Sequence, residues 1–401
     1  MLPRKRLDIR ARDIAYGFAA CVHAPDAAQT TQRLEQQWTR TRHGFVCLSV
    51  RTAWDLLLQA VDWPPGSEVI MSAITIPHMA QIVRHHGYVP VAVDIDVDTC
   101  QTPCDGVAQA IGPDTRAVVI TQLFGTRSCL RSLRALADAH RLMLIEDCAQ
   151  GFGGADHEGD PAADISMHSF GTIKFATAMG GALCAIKDPA LCQRMRAIHA
   201  SYPMQAASAH RGKLVKNTAL FLMSFPASYG AFVGALKVMG KDHDATVRAW
   251  SRGFSGPDFF ERIRQRPHPA LLALLEHRLR TYPARALERR AARTQRLIRL
   301  LRPELVCFGR AASHHTFWLV ALVVANPQQV IDHMRRRGVD ATTGSSTLIA
   351  IDQDARAHEP GSNAWAMRHV VYVPVPFYLS DAAVERMAKD LNEVACPLVK
   401  D

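Results

Sequence analysis

Three short stretches hold the residues whose types and spacing could do chemistry. The first is Leu142-Met143-Leu144-Ile145-Glu146-Asp147-Cys148-Ala149-Gln150-Gly151, an apolar run ending in acids and a turn. In open α/β sheets functional groups gather at the carboxyl ends of strands, so Asp147 is either a ligand-facing carboxylate or a cap for the next helix. The second is Met167-His168-Ser169-Phe170-Gly171-Thr172-Ile173-Lys174, followed by Met179-Gly180-Gly181. A lysine in an apolar, glycine-bounded loop must be paired, neutral or covalently bound, because desolvating its charge is costly; otherwise its end simply reaches solvent. Desolvation also lowers the amine's pKa, which is what Schiff-base chemistry requires of it. The third is Ser49-Val50-Arg51-Thr52, between a strand and a helix. Hydroxyls, a guanidinium and the first amides of a helix suit a phosphate dianion, although Ser and Thr there also serve as plain caps.

Such groups need a framework to hold them. From Gly44 to Ile186, β-type runs alternate with helical ones. The expected strands are Val46–Leu48, Val69–Ser72, Pro90–Val93, Ala117–Thr121, Leu142–Ile145, Ile165–Phe170 and Ala182–Ile186. Several are apolar at successive positions, which is what burial on both faces by covering helices demands, so a mainly parallel seven-stranded sheet in an α/β fold follows. Helices are expected over Ala53–Val61 and over Leu130–Ala139, the latter capped near Ser128. Beyond residue 245 the chain turns arginine-rich and helical through Arg278–Leu301. A strand over Phe317–Val324, a helix over Pro327–Arg337 stopped by Gly338, a strand over Val370–Val375 and a helix over Asp381–Val394 then follow. The expected division is a large domain over residues 1–245 and a smaller C-terminal α/β domain over residues 246–401.

Composition narrows the classes. With 401 residues, 48% hydrophobic and 21% charged, the chain is a folded globular protein, neither disordered nor fibrous. The net charge of +10 is loudest in Arg4-Lys5-Arg6 and between Arg278 and Arg302. It reads as solvated surface or as attraction for phosphorylated substrates or acidic lipid. No nucleic-acid module is recognisable, so no nucleic-acid partner is expected. Ten scattered cysteines, several in apolar runs, suggest a reducing compartment; Cys100 and Cys104 are the only close pair, and no metal site is expected. The N-terminus lacks an apolar segment of signal-peptide length, so a cytoplasmic location is expected. Asn217 to Leu236 carries no charge and has lysines on either flank. It is read as a buried or dimer-covered helical hairpin broken at Pro226, with peripheral membrane contact through residues 217–236 and a true span as the alternatives.

The order of these motifs resembles the DegT-type aminotransferases, the group that includes the nucleotide-sugar aminotransferases, within the fold-type I pyridoxal-phosphate enzymes. Ser49-x-Arg51-Thr52 with Pro65-Gly66-Ser67-Glu68-Val69-Ile70 comes first. Then come Pro90-Val91-Ala92-Val93-Asp94-Ile95-Asp96, Ile145 to Gln150, Ser169-Phe170-x-x-x-Lys174 and Gly180-Gly181. They follow the family's order over residues 44–200; after 200 only a general small-domain pattern is recognisable. The resemblance implies the fold-type I architecture and pyridoxal 5'-phosphate as cofactor. It implies Lys174 as the Schiff-base lysine, Asp147 facing the pyridine nitrogen and Gln150 near the phenolic oxygen. Ser169, Arg51, Thr52 and Ser49 would hold the phosphate. One departure is Ala73-Ile74-Thr75-Ile76-Pro77-His78, where the family commonly places an aromatic residue after the threonine; Ile76 cannot stack on a ring, and His78 is the candidate to replace it. The loop Phe175 to Met179 is shorter and more apolar than the family's.

The implied function is transfer of an amino group from an amino acid, glutamate or glutamine, to a keto or aldehyde acceptor. By resemblance that acceptor is a nucleotide-linked keto sugar, and the enzyme is a homodimer with its active site at the interface. A lipid-like or natural-product acceptor stays open, as does dehydration, elimination or condensation on the same cofactor. His210, Asn217 and Arg252 are further candidates to reach the site or a partner subunit.

Overall fold

The computed structural model describes residues 1–251, 256, 258–283, 285–344, 347–351 and 362–398. In chain order the strands are β1 (His43–Cys47), β2 (Glu68–Ser72), β3 (Ile74–Thr75), β4 (Val89–Val93), β5 (Thr115–Thr121) and β6 (Met143–Asp147). They continue with β7 (Ile165–Ser169), β8 (Ala182–Ile186), β9 (Val306–Cys307), β10 (Val320–Val323), β11 (Ile349–Ala350) and β12 (Val370–Val373). Seven of them form one sheet in the order β1-β8-β7-β6-β5-β2-β4. Pairing is parallel from β7 through β4, and antiparallel only where β8 joins β7 and β1.

The apolar runs in the sequence account for this sheet. Every residue of β8 is buried, and so is β5 from Ala117 to Thr121, because helices cover both faces. On one face Trp54 and Leu57 of the helix Val50–Ala60 pack with Val69, Met71, Ile145 and Met195. On the other, Leu133 and Ala137 of the helix Arg131–His140 meet Ile70, Val118 and Leu144. All seven expected strands are present, with ends shifted by a few residues.

Three helix expectations change. The helix expected from Ala53 starts at Val50, since Ser49 Oγ accepts the Thr52 N–H at 3.1 Å and sets the cap earlier. Ser128 is not the cap of the helix Arg131–His140; the N-cap is Leu130, and the Ser128 amide is held upstream by Gln122 Oε1 at 2.9 Å. The arginine-rich segment is two helices, Pro269–Thr281 and Ala286–Leu300, parted around Pro283.

The C-terminal part is a three-stranded antiparallel sheet, β12-β10-β9, packed against the helices Ala286–Leu300, Pro327–Arg336 and Asp381–Val394 through Leu297, Leu322, Val330 and Leu391. Gly338, at φ +78°, ends Pro327–Arg336 as expected. β10 begins at Val320 and not at Phe317, because Phe317 takes φ +50° and turns Trp318 away from the sheet. Among the long-range ties that join this part to the rest, Asn363 brackets Ile95 through both backbone groups, and Leu2 pairs with Val339.

The uncharged segment 217–236 lies in a bent pair of helices, Ala207–Met223 and Pro226–Val238, which meet at 97°. The break falls before Pro226, as expected. Among the described residues no single helix is long and apolar enough to cross a membrane. His210 and Asn217 point inward and are buried, His210 stacked on His268; Arg252 lies outside the described residues.

Candidate active site

The strand ends of the parallel sheet bring the expected residues to one edge. β6 runs between β5 and β7, and its last residue, Asp147, ends at the sheet's carboxyl edge. There the chain must turn at once: Ala149 N–H donates to Asp147 Oδ1 at 2.9 Å, and Gly151 passes so close to Gln122 that a Cβ would sit 2.8 Å from the Gln122 Cβ. Only glycine fits that passage. The two acids of the motif then part company. Glu146 is tied up by Gln122 Nε2, the Asp160 amide and Ser166 Oγ, each at 2.8 Å. Asp147 keeps its second oxygen without a hydrogen bond among the described residues. Burial pushes its carboxyl up; the Ala149 amide, Lys174 and Arg51 pull it back.

Lys174 follows β7 in a loop closed on Phe170, whose carbonyl accepts from the amides of Ala178 and Gly180, both at 3.1 Å. Asp8 Oδ2 accepts from the Ala176 amide at 3.0 Å, and Arg278 Nε donates to the Thr177 carbonyl at 3.1 Å. The loop is short and apolar because its polar backbone groups are satisfied from other elements. Lys174 Nζ lies 4.3 Å from the centroid of the Trp318 ring, and the Trp318 indole N–H donates to the Ile173 carbonyl at 2.9 Å. Burial pushes the Lys174 ammonium down to about 7, with Asp147 opposing and Arg51 adding to the push. An amine with that pKa is substantially neutral at physiological pH.

The other expected residues fall into two groups. Gln150 is buried, and its Oε1 accepts from the Phe124 amide at 2.9 Å, which leaves the NH2 group as donor. Ser169 sits half-buried at the end of β7, its Oγ 3.5 Å from the Gly171 amide. Arg51 faces Asp147 and Lys174 and donates from Nε to His78 Nδ1 at 3.3 Å; burial lowers its pKa to about 10, against Asp147. Because His78 accepts at Nδ1 and burial pushes its pKa to about 4, with Arg51 adding to the push, its proton sits on Nε2. Its ring stacks on Phe259 at 4.5 Å, so one face is already covered.

Thr52 and Ser49 differ from expectation in what their hydroxyls do. Thr52 Oγ1 is fully buried and donates to the Ile263 carbonyl at 2.8 Å, while Ser49 Oγ caps the helix through the Thr52 amide. Both hydroxyls serve the fold. What they leave for a ligand is the helix N-terminus itself, whose first amides have no intrahelical acceptor.

This donor set fits pyridoxal phosphate. A buried carboxylate with a free oxygen suits a protonated ring nitrogen, a lysine held near neutrality suits the aldehyde carbon, and Arg51 with a helix N-terminus suits the phosphate. Trp318, Lys5 and Phe259 complete the surroundings and were not singled out by the sequence as site residues. Nothing in the local sequence marks Trp318, which a turn at Phe317 swings onto the lysine loop, and Lys5 sits in a basic run that reads as solvated.

Comparison finds the chain similar to known aminotransferases. The chain is 36% identical over 148 residues to the L-glutamine:2-deoxy-scyllo-inosose aminotransferase of Streptomyces kanamyceticus, covering 36% of this chain and 34% of that protein. It is 34% identical over 160 residues to the UDP-N-acetyl-3-dehydro-alpha-D-glucosamine 3-aminotransferase of Acidithiobacillus ferrooxidans, covering 39% of this chain and 43% of that protein. The match thus spans less than half the length of these curated relatives. The fold is shared over nearly the whole chain. The aminotransferase TlmJ from Streptoalloteichus hindustanus superposes with a TM-score of 0.69 at 17% identity, covering 98% of each chain. Helicobacter pylori PseC, an aminotransferase involved in the biosynthesis of pseudoaminic acid, does so with a TM-score of 0.68 at 14% identity, again over 98% of each. A model of the DegT/DnrJ/EryC1/StrS aminotransferase family matches residues 27–215, the stretch that holds Arg51, Asp147 and Lys174. That stretch, a little under half of the chain, is similar to the DegT/DnrJ/EryC1/StrS aminotransferase family.

Proposed function

We propose that the protein is a pyridoxal-phosphate-dependent aminotransferase that moves an amino group from glutamate or glutamine to a keto group of a sugar. The observation that carries this reading is Lys174: a buried amine held near neutrality, opposite Asp147, on a loop closed from three sides. Bound pyridoxal phosphate supplies an electron sink for the α-carbon of the amino acid. Asp147 holds a proton at the ring nitrogen. Lys174 would move the proton at the amino acid's α-carbon as general base and then acid. Gln150, whose NH2 has no acceptor among the described residues, would donate to the ring's phenolic oxygen. Arg51 and the amides at the start of Val50–Ala60 carry the phosphate, with Ser169 beside them. The +10 charge suits a nucleotide-linked acceptor, and the two curated relatives carry cyclitol and sugar-nucleotide names.

The test is an absorbance spectrum of the purified protein reconstituted with pyridoxal phosphate, before and after adding glutamate or glutamine. A visible Schiff-base band that bleaches on adding donor supports the reading; a band that never forms overturns it. A band that no amino donor bleaches favours elimination or condensation instead.

A location on the membrane surface belongs to the same proposal. No acidic residue occurs from Pro189 to Lys241. The bent helix pair exposes Val215, Leu222 and Val238, beside the exposed Lys216, Lys237 and Lys241. An apolar face rimmed by lysines suits an anionic lipid surface. Co-flotation with phosphatidylglycerol vesicles, lost in Leu222→Asp, is expected. A stable dimer that buries this face and does not float would show that a second copy covers it.

A further inference from the structure

Lys5 belongs to none of the roles above, yet it stands beside the reactive lysine. Its neighbours in the chain are pinned. Arg4 forms a forked pair with Asp340, at 2.7 and 3.2 Å, and a further ion pair with Asp244 at 2.7 Å. Leu7 is buried against Met179 and Leu214. Between these anchors the arm has no freedom to swing Lys5 outward. Its Nζ lies 3.7 Å from the centroid of the Trp318 ring, the same ring that Lys174 Nζ approaches to 4.3 Å. The nitrogen is buried and has no hydrogen-bond partner among the described residues. A buried ammonium with no acceptor is costly, and a cation over an indole face recovers only part of that cost.

Next to it is a cavity of about 90 Å³. Lys5, Thr172 and Ile173 line it on the side of the lysine loop, and Leu220, Met223 and Tyr229 line it from the bent helix pair. Arg4 lines it too, so the cavity is basic along the N-terminal arm, lies beside the residues that precede Lys174, and is apolar at Leu7, Leu220 and Met223.

We propose that Lys5 binds an acidic group of the amino acceptor, and that an apolar part of the same molecule lies in the cavity against Leu220 and Met223. This rests on the aminotransferase reading and names its acceptor more narrowly, as a phosphate- or carboxylate-bearing molecule with an adjoining apolar portion. The charges around Lys5 explain why the site waits for an anion. Burial pushes its amine well below the ordinary value, Lys174 and Arg290 push the same way, and only Asp8 opposes them. Without an anion, burial and the two neighbouring cations disfavour the charged form of Lys5. With one, the amine takes a proton and forms a charge-assisted hydrogen bond. Binding and proton uptake are therefore one event.

Calorimetric titration of the purified full-length protein tests this, with decyl phosphate, inorganic phosphate and glutamate as separate probes. Each is run at pH 8 in two buffers of different ionisation heat. Decyl phosphate should bind with uptake of about one proton. Lys5→Ala should weaken it about tenfold or more and abolish the uptake. Lys5→Arg, which is always charged, should retain binding without proton uptake. Met223→Glu should weaken decyl phosphate while leaving inorganic phosphate unaffected. Unchanged affinity and proton uptake in Lys5→Ala would overturn the proposal, and so would a loss confined to glutamate, which would assign Lys5 to the donor's carboxylate. The wild-type cofactor spectrum is read separately. A protein that binds decyl phosphate through Lys5 but never forms the Schiff-base band would fail the aminotransferase reading alone.

Discussion

The lysine loop and the N-terminal arm meet at one tryptophan ring, and they reach it by different means. Lys174 is placed mainly by the sheet: β7 precedes it, Phe170 closes the loop and Asp147 comes from the adjacent strand, while Asp8 and Arg278 brace the loop from outside. Lys5 is placed by residues hundreds of positions away, through Arg4 on Asp340 and Leu2 on Val339. The cofactor side of the pocket is thus a property of the sheet. The far side depends on the C-terminal part and the arm being locked together. On the proposed reading, such a division lets one sheet serve different acceptors, because the residue assigned to the acceptor, Lys5, hangs on contacts outside it.

The largest separation between the two sides should come from Lys174→Ala. It should reduce transamination by about a thousandfold or more, and leave the melting temperature near that of wild type, because the reacting amine is removed and no core contact is lost. A variant that kept transaminating would break the comparison at its stronger end.

Asp340→Ala should do the opposite. It leaves the buried Arg4 with only Asp244 of its two carboxylates, and removing one member of such a pair costs up to about 3–5 kcal/mol, readable in a denaturant titration. The arm should loosen with it, while cofactor still binds to whatever folds. Burial works against the Asp340 charge, but His243, Arg4 and Tyr229 hold its carboxyl well below the usual range. Its contribution to stability is therefore present above the ordinary carboxylate pKa and is lost as pH falls toward the depressed value. Wild type should lose more stability than Asp340→Ala over that acid range.

The smallest effect should come from Ser49→Ala. Losing the cap on Val50–Ala60 should cost about 1 kcal/mol. If Ser49 only caps the helix, affinity for pyridoxal phosphate should change little, and a large loss of cofactor affinity would return its hydroxyl to the phosphate site.

The same division governs what could be read in advance. The seven strands were legible because two-sided burial forces unbroken apolar runs, as in Ala117–Thr121 and Ala182–Ile186. Asp147, Gln150, Ser169 and Lys174 were legible because they lie on two adjacent strands and their turns, so their sequence order is close to their spatial order. The roles of Ser49 and Thr52 were not, since a hydroxyl before a helix has one appearance whether it caps or binds. Only the Ile263 carbonyl, brought from a distant helix, decided the case of Thr52. Lys5 and Trp318 could not be found at all. A basic run and a residue ahead of a strand are ordinary until the chain's two ends come together.

Peptide mapping after borohydride reduction of the pyridoxal-phosphate-loaded protein tests the central claim most directly. Reduction fixes the cofactor on whichever amine holds it. The expected result is a single labelled peptide carrying Lys174, with loading that rises with pH about a midpoint near 7, as an amine held down by burial requires. Label on Lys5 instead, or no label on either lysine, would contradict the account.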